Sequence, residues 1–178
     1  MGNANYKIEE LYSVAEIQSF VQALAKKIEV SYQADEEVVC VGVLKGAWIF
    51  LADLVRAFYR PVQVDFIQTS SYGRGTETSG QVQISKEPTL DLRGKNVLIV
   101  DEILDTGHTL LALKKHFLTM DCKTVKIAVL LDKKERRVAD IQADFVGKEC
   151  PDEFLVGYGL DWGEKYRHLP NVAKVVFI

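Results

Sequence analysis

At 178 residues, 48% of them hydrophobic, the chain has the material for one domain with a substantial core, and its formal charge of −3 argues against a dedicated nucleic-acid binder, which carries a basic face. The three cysteines, Cys40, Cys122 and Cys150, are odd in number, far apart and without a Cys-x-x-Cys pair, so no disulfide framework or structural zinc site is expected and a reducing, cytoplasmic setting is. No run approaches the roughly 20 apolar residues of a membrane span, and the amino terminus lacks a signal peptide's apolar core.

The first predicted element is a helix. Ser13-Val14-Ala15-Glu16 has the pattern of a capping box, and Val14, Ile17, Val21, Leu24, Ala25 and Ile28 recur at helical spacing. Val38 to Val43 is an apolar run of strand length, followed by a helix ending by Tyr59 whose buried face comprises Trp48, Ile49, Leu51, Leu54, Val55 and Phe58. Val62 to Gln68 reads as the next strand. Residues 69 to 89 are polar and glycine-bearing, and a loop of that length in a compact domain is usually functional. Val97 to Val100 reads as a strand buried on both faces, and Leu110, Leu111, Leu113, Phe117 and Leu118 support a helix ending near Met120-Asp121. Val125 to Leu131, Asp144 to Val146 and Val172 to Ile178 complete the strands. Alternating strands and helices predict an α/β fold with a central, mostly parallel sheet flanked by helices. Neither a repeat nor a linker divides the chain, so residues 1–178 are expected to form a single domain.

The segment Val97 to Leu110, VLIVDEILDTGHTL, concentrates the chemistry. Asp101 and Glu102 follow the strand at its carboxyl end, where open α/β sheets place the ligand crevice. Asp105-Thr106-Gly107-His108-Thr109 then offers two hydroxyls, a glycine for close backbone approach and the free amides of a helix start, which together make a phosphate cradle. Asp101, Glu102 and Asp105 would repel a bare phosphate, so a polyhydroxyl group is expected between them. A sugar phosphate fits: the loop holds the phosphate while Asp101 and Glu102 accept hydrogen bonds from ribose hydroxyls or steady a hydrated Mg²⁺. The bland alternative is ordinary turn chemistry after a strand. Neither the Gly-x-Gly-x-x-Gly turn of a Rossmann oxidoreductase nor the Gly-x-x-x-x-Gly-Lys-Ser/Thr of a P-loop kinase is present.

VDEILDTGHTL resembles the phosphoribosyl-pyrophosphate motif of the type I phosphoribosyltransferases. Leu44-Lys45-Gly46 resembles the pyrophosphate loop of the purine members, Ser70-Ser71-Tyr72-Gly73 the start of their mobile catalytic loop, and Leu131-Asp132-Lys133-Lys134 their purine-reading segment. The tail PDEFLVGYGLD from Pro151 to Asp161, with Tyr166-Arg167, is very similar to that of the hypoxanthine-guanine branch. The resemblance runs in order over about residues 38 to 178. It implies a type I fold with a small hood formed by the terminal segments and a mobile loop, the loop at about 69–89 and the purine-binding hood at about 145–178.

The implied reaction is Mg²⁺-dependent displacement of pyrophosphate from C1 of phosphoribosyl pyrophosphate by a nitrogen of hypoxanthine or guanine, through an oxocarbenium-like transition state. By the same resemblance Lys45 and Gly46 receive pyrophosphate, in a loop whose Leu44–Lys45 peptide is often cis in the family, and Ser71-Tyr72 begin a lid that excludes water. Asp105 is the general base or proton partner, and Thr106, Gly107, His108 and Thr109 hold the 5-phosphate. Lys133 donates to the 6-oxygen, which adenine lacks. Phe154 stacks on the base, the main chain at Leu155 reads its Watson–Crick edge, Asp161 joins Asp101 and Glu102 in holding Mg²⁺, and Arg167 faces pyrophosphate. The acidic pair is Asp-Glu where many members have Glu-Asp or Asp-Asp, which leaves open which carboxylate meets ribose and which the metal. Taken singly, Phe154 reads rather as core, Lys133 as a solvated charge in a charged run and Arg167 as a surface ion pair; their joint order with the other motifs reverses that. A homodimer or homotetramer is implied, with no nucleic-acid or membrane partner. The alternatives are a non-catalytic regulator on the same fold and, within the enzyme class, a guanine- or xanthine-preferring member.

Overall fold

The computed structural model describes residues 5–71 and 82–178. Its main sheet has six strands in the order β4-β3-β2-β5-β6-β7. At the centre, β2 (Val38–Leu44) and β5 (Asn96–Leu104) run parallel, with β6 (Thr124–Asp132) and β7 (Phe145–Glu149) beyond β5 and β3 (Gln63–Ser71) beyond β2, all parallel. Only β4 (Val82–Lys86) is antiparallel, paired to β3 at the edge. Parallel central strands are covered on both faces, which is why they appear in the sequence as unbroken apolar runs. Alternate residues serve opposite cores. Cys40, Leu98, Val100, Ala128 and Leu130 pack with α1 (Val14–Glu29) and α2 (Trp48–Arg56), while Val39, Val41, Val97, Ile99, Ile127 and Val129 pack with α3 (His108–Leu118).

A second, antiparallel sheet of β1 (Tyr6–Tyr12), β9 (Val172–Phe177) and β8 (Leu155–Val156) forms a hood. Val156, Ala173 and Val175 make its small core, against which Ile8, Trp162, Tyr166 and Leu169 pack. The hydroxyl of Tyr158 donates to Asp53 Oδ2 at 2.7 Å, tying the hood to α2.

Several expectations need correction. The described chain opens on a strand, because β1 carries Lys7, Glu9 and Glu10 and has no clear apolar alternation; pairing with β9 makes it a strand. The capping box at Ser13 and Glu16 forms, but Val14 stands 40% exposed just inside the cap. In α2 the buried face is Phe50, Leu51 and Leu54, with Trp48 half exposed, and in α3 Leu118 points to solvent. The expected loop at 69–89 is strand at both ends, since β3 continues to Ser71 and pairs with β4. Tyr72 lies outside the described residues, as does the side chain of Ser71. Finally, β5 does not stop before the acids: Asp101 pairs in register with Val129, and Leu104 with Asp132. Because β7 belongs to the main sheet, the hood begins after it.

Candidate active site

The carboxyl ends of β2, β5 and β6 open under the hood. On leaving β5 the chain passes Asp105 and Thr106 and reaches Gly107 at φ 89°, the residue that caps α3 without any side-chain hydrogen bond. A Cβ at Gly107 would lie 2.7 Å from Ile141 Cγ2, so both the backbone angle and the packing demand glycine. The uncapped amides of α3 face a cavity of about 200 Å³ lined by Thr106, Gly107 and Thr109 together with Asp101 and Asp105, a place suited to an anion of phosphate size. His108 is the first residue of α3 and half-buried. Arg137 holds the loop from behind: its guanidinium donates to the carbonyls of Leu104 (3.2 Å), Asp105 (2.9 Å) and Ile141 (2.9 Å) and pairs with buried Asp132.

The acidic pair divides in environment. Asp101 is buried and accepts the Glu102 amide at 3.0 Å; desolvation, then the neighbouring Glu102 charge, raise its carboxyl well above the ordinary range. Glu102 reaches across to the turn after β2, where a Cβ on Gly46 would sit 1.8 Å from its Oε1. Its other oxygen is buried with no hydrogen-bond partner, an unmet acceptor that a hydroxyl or a cation would satisfy. On the hood side, a Cβ on Gly159 would fall 2.1 Å from the carbonyl oxygen of Gly46, and Gly159 has φ 102°. Gly46 is thus clasped between Glu102 and the hood. The Leu44–Lys45 peptide preceding it is cis. Lys45, largely exposed, pairs with Glu164 at 2.9 Å.

Arg167 binds the hood turn together. Its Nη1 donates to Gly159 O at 2.7 Å and its Nη2 lies 2.7 Å from Asp161 Oδ1, while its Nε is buried and unpartnered. Asp161 also accepts the Glu164 amide at 2.9 Å. Tyr158, Glu164 and Tyr166 adopt φ of 50°, 65° and 72°, rare for residues with side chains and concentrated at functional turns.

The third wall is a shelf formed by Lys133, Phe154 and Leu155. Lys133 is 7% exposed, so the reading of it as a solvated surface charge fails; its Nζ donates to Glu153 O at 2.9 Å and its amide to Leu104 O at 2.9 Å, joining shelf to phosphate loop. Phe154 is about half exposed, with Trp162 edge-on behind it at 6.1 Å, so the core reading fails too. The Val175 amide donates to Phe154 O at 2.8 Å, and Leu155 stands opposite Lys174. That register makes Leu155 a non-hydrogen-bonded position whose N–H and C=O point to the open edge of the sheet. Lys133, Phe154 and Leu155 thus meet on one side of the crevice, with Asp101, Glu102 and residues 105–109 on the other.

Residues 8–162 match the model of the phosphoribosyl transferase domain. The chain belongs to the phosphoribosyltransferase family. It is 54% identical over 169 residues to the hypoxanthine-guanine phosphoribosyltransferase of Aquifex aeolicus, covering 95% of each chain. A solved hypoxanthine phosphoribosyltransferase from Staphylococcus aureus superimposes with a TM-score of 0.90 at 41% identity, over 94% of this chain and 91% of that one. A hypoxanthine-guanine phosphoribosyltransferase from Bacillus anthracis, solved with HEPES in its active site, gives 0.89 at 45% identity over 97% and 99%.

For a phosphoribosyltransferase, an Mg²⁺ site need not be a closed cage. Among the described residues no three acids, imidazoles or thiols converge as a metal site, but Mg²⁺ keeps waters and takes one or two carboxylates plus substrate oxygens. The buried, unpartnered Glu102 oxygen beside Asp101 suits that arrangement, whereas Asp161 is engaged with Arg167. Sequence reasoning missed Gly159, Glu164, Arg137 and Asp132. Their only available signals were the Gly-Tyr-Gly turn and the charged run after β6, and neither names a partner.

Proposed function

We propose that this phosphoribosyltransferase moves the 5-phosphoribosyl group from phosphoribosyl pyrophosphate to hypoxanthine or guanine, releasing pyrophosphate. The observation that carries the reading is the buried Lys133, its ammonium held on the carbonyl of Glu153 just before the half-exposed Phe154 and its amide bonded to the Leu104 carbonyl that leads into the loop with the uncapped helix. A lysine has donors only, so it meets the 6-oxygen of an oxopurine and repels the amino group of adenine. Phe154 stacks on the ring, and the free N–H and C=O of Leu155 read its edge.

Thr106, Thr109 and the amides from Gly107 hold the 5-phosphate, with His108 alongside. Asp101 and Glu102 accept the ribose hydroxyls, and they are the residues that would hold Mg²⁺, with Asp161 able to join only on release from Arg167. When bound, that ion neutralises charge on the departing pyrophosphate. Lys45, Gly46 and Arg167 surround the departing group. For Arg167 to do so, its pairing with Asp161 must loosen or be shared, and its unpartnered Nε is the donor already free. Asp105, at the base side of the loop, is the proton partner of the purine. The three cysteines are free, which supports a reducing, cytoplasmic setting. A homodimer or homotetramer is proposed from the family resemblance.

The test is turnover by the purified protein of hypoxanthine, guanine, xanthine and adenine, each with phosphoribosyl pyrophosphate and Mg²⁺, followed by absorbance. Conversion of hypoxanthine or guanine with adenine inert is expected. Turnover of adenine would remove the Lys133 argument, and silence with every base would favour the non-catalytic regulator.

A further inference from the structure

Lys133 and Asp105 stand at two sides of the proposed base site, and two residues with no part in the reaction lie between them. Lys133 Nζ is 3.7 Å from Asp152 Oδ1. The same oxygen is 4.0 Å from Arg136 Nε, which lies 3.3 Å from Asp105 Oδ1. A single 3₁₀ turn, Lys134–Arg136, creates this arrangement: the Arg136 amide donates to Lys133 O at 3.2 Å, folding the arginine back toward the crevice. Asp152 comes from the segment after β7, two residues before Phe154.

These groups differ in burial, and the difference separates stability from positioning. The side chains of Arg136, Asp152 and Asp105 are 50%, 42% and 39% exposed, so their pairings contribute little to folding. The Lys133 side chain is only 9% exposed and needs a nearby counter-charge to remain where it is. Asp105 Oδ1 is itself buried, with no well-aligned hydrogen bond, so Arg136 is the cation that holds its orientation.

We propose that Asp152 and Arg136 are positioning residues of the base site. Asp152 holds the Lys133 ammonium at the depth where it meets the 6-oxygen, and Arg136, leaning on the same carboxylate, holds Asp105 toward the base. The proposal rests on the oxopurine reading above and extends it to residues that do not touch the substrate.

Steady-state kinetics with hypoxanthine and phosphoribosyl pyrophosphate varied independently test it. Asp152→Asn keeps shape and removes charge; it should raise KM for hypoxanthine about tenfold while KM for phosphoribosyl pyrophosphate stays within about twofold, the loss of one nearby counter-charge. Asp152→Glu should recover part of the effect. Arg136→Gln should lower kcat about tenfold with a smaller change in either KM, in the range of an impaired proton transfer, and Arg136→Lys should restore part of kcat. Because the two share a carboxylate, the double variant should lose less than the product of the single losses. An unchanged hypoxanthine KM in Asp152→Asn overturns the proposal, as does a loss shared equally by both substrates together with a lowered Tm, which is the mark of a structural role. Wild-type inactivity toward hypoxanthine and guanine would remove the underlying reading; wild-type turnover with kinetically silent variants would remove only this inference.

Discussion

Residues 101–109 build their part of the site from one continuous stretch at the end of β5, whereas Lys45, Gly46, Gly159, Asp161, Glu164 and Arg167 reach theirs from opposite ends of the chain. In the first region the geometry is local. Gly107 turns the backbone, α3 supplies the amides, and Arg137 ties down the carbonyls. In the second the geometry is a fit between surfaces, with the Gly46 carbonyl against Gly159 and the Glu102 carboxylate against Gly46. The first is held by elements of the main sheet and its loops alone, but the second holds only while main sheet and hood both keep their place. The proposed phosphate side should therefore tolerate changes in the hood, while the proposed pyrophosphate side should not.

The largest expected effect tests how local the phosphate loop is. Arg137→Met would leave Asp132 buried without its partner and free three carbonyls, and should destabilise the protein by about 3–5 kcal/mol in urea unfolding. A loss below about 1 kcal/mol would mean that the loop holds its shape without the arginine. Next comes the fitted side. Gly159→Ala forces a Cβ toward the Gly46 carbonyl at an unfavourable φ and should lower kcat/KM about 100-fold, since small misplacements cost that much. Near-normal kinetics would show that the hood need not seat on Gly46. Thr106→Val removes one proposed phosphate donor and should raise KM for phosphoribosyl pyrophosphate about fivefold, the worth of one hydrogen bond, with urea unfolding unchanged.

Asp101→Asn sharpens the contrast in the other direction. The folded carboxyl titrates above its unfolded value, so its ionised form is penalised in the folded state, and stability is lost as pH rises from the unfolded value through the folded one. Removing the charge should raise Tm near neutral pH by about 2–4 °C, corresponding to about 1 kcal/mol, give no gain at pH 3 where both states are protonated, and weaken nucleotide binding. A lowered Tm near neutral pH would contradict the assigned burial cost. The smallest effect belongs to the exposed Lys45–Glu164 pair: Glu164→Gln should change stability by less than about 1 kcal/mol. A larger loss in thermal unfolding would mean that this pair, and not the glycine contact, seats the hood.

The central parallel strands β2, β5 and β6 were legible as apolar runs because both faces are buried, and the capping box of α1 was legible because it is a contact between residues three apart. Outside that buried centre, β1, β4 and β8 were not. β1 and β8 have little hydrophobic pattern of their own and exist as strands because β9 lies between them. Lys133 and Phe154 were ambiguous for the same reason. Whether a lysine is a solvated charge or a buried donor depends on the Glu153 carbonyl and the Leu104 loop around it, and no spacing in the chain specifies that.

By itself the sequence determined the α/β core, the strand-to-helix turn at 105–109 with its two preceding acids, and the family, because each rests on residues that are neighbours along the chain. Only the tertiary structure decided that Gly46 is held between Glu102 and Gly159, that Arg167 braces the hood turn, and that Lys133 is buried against the shelf. These depend on contacts between segments far apart in sequence, where packing and the satisfaction of buried polar groups set the outcome.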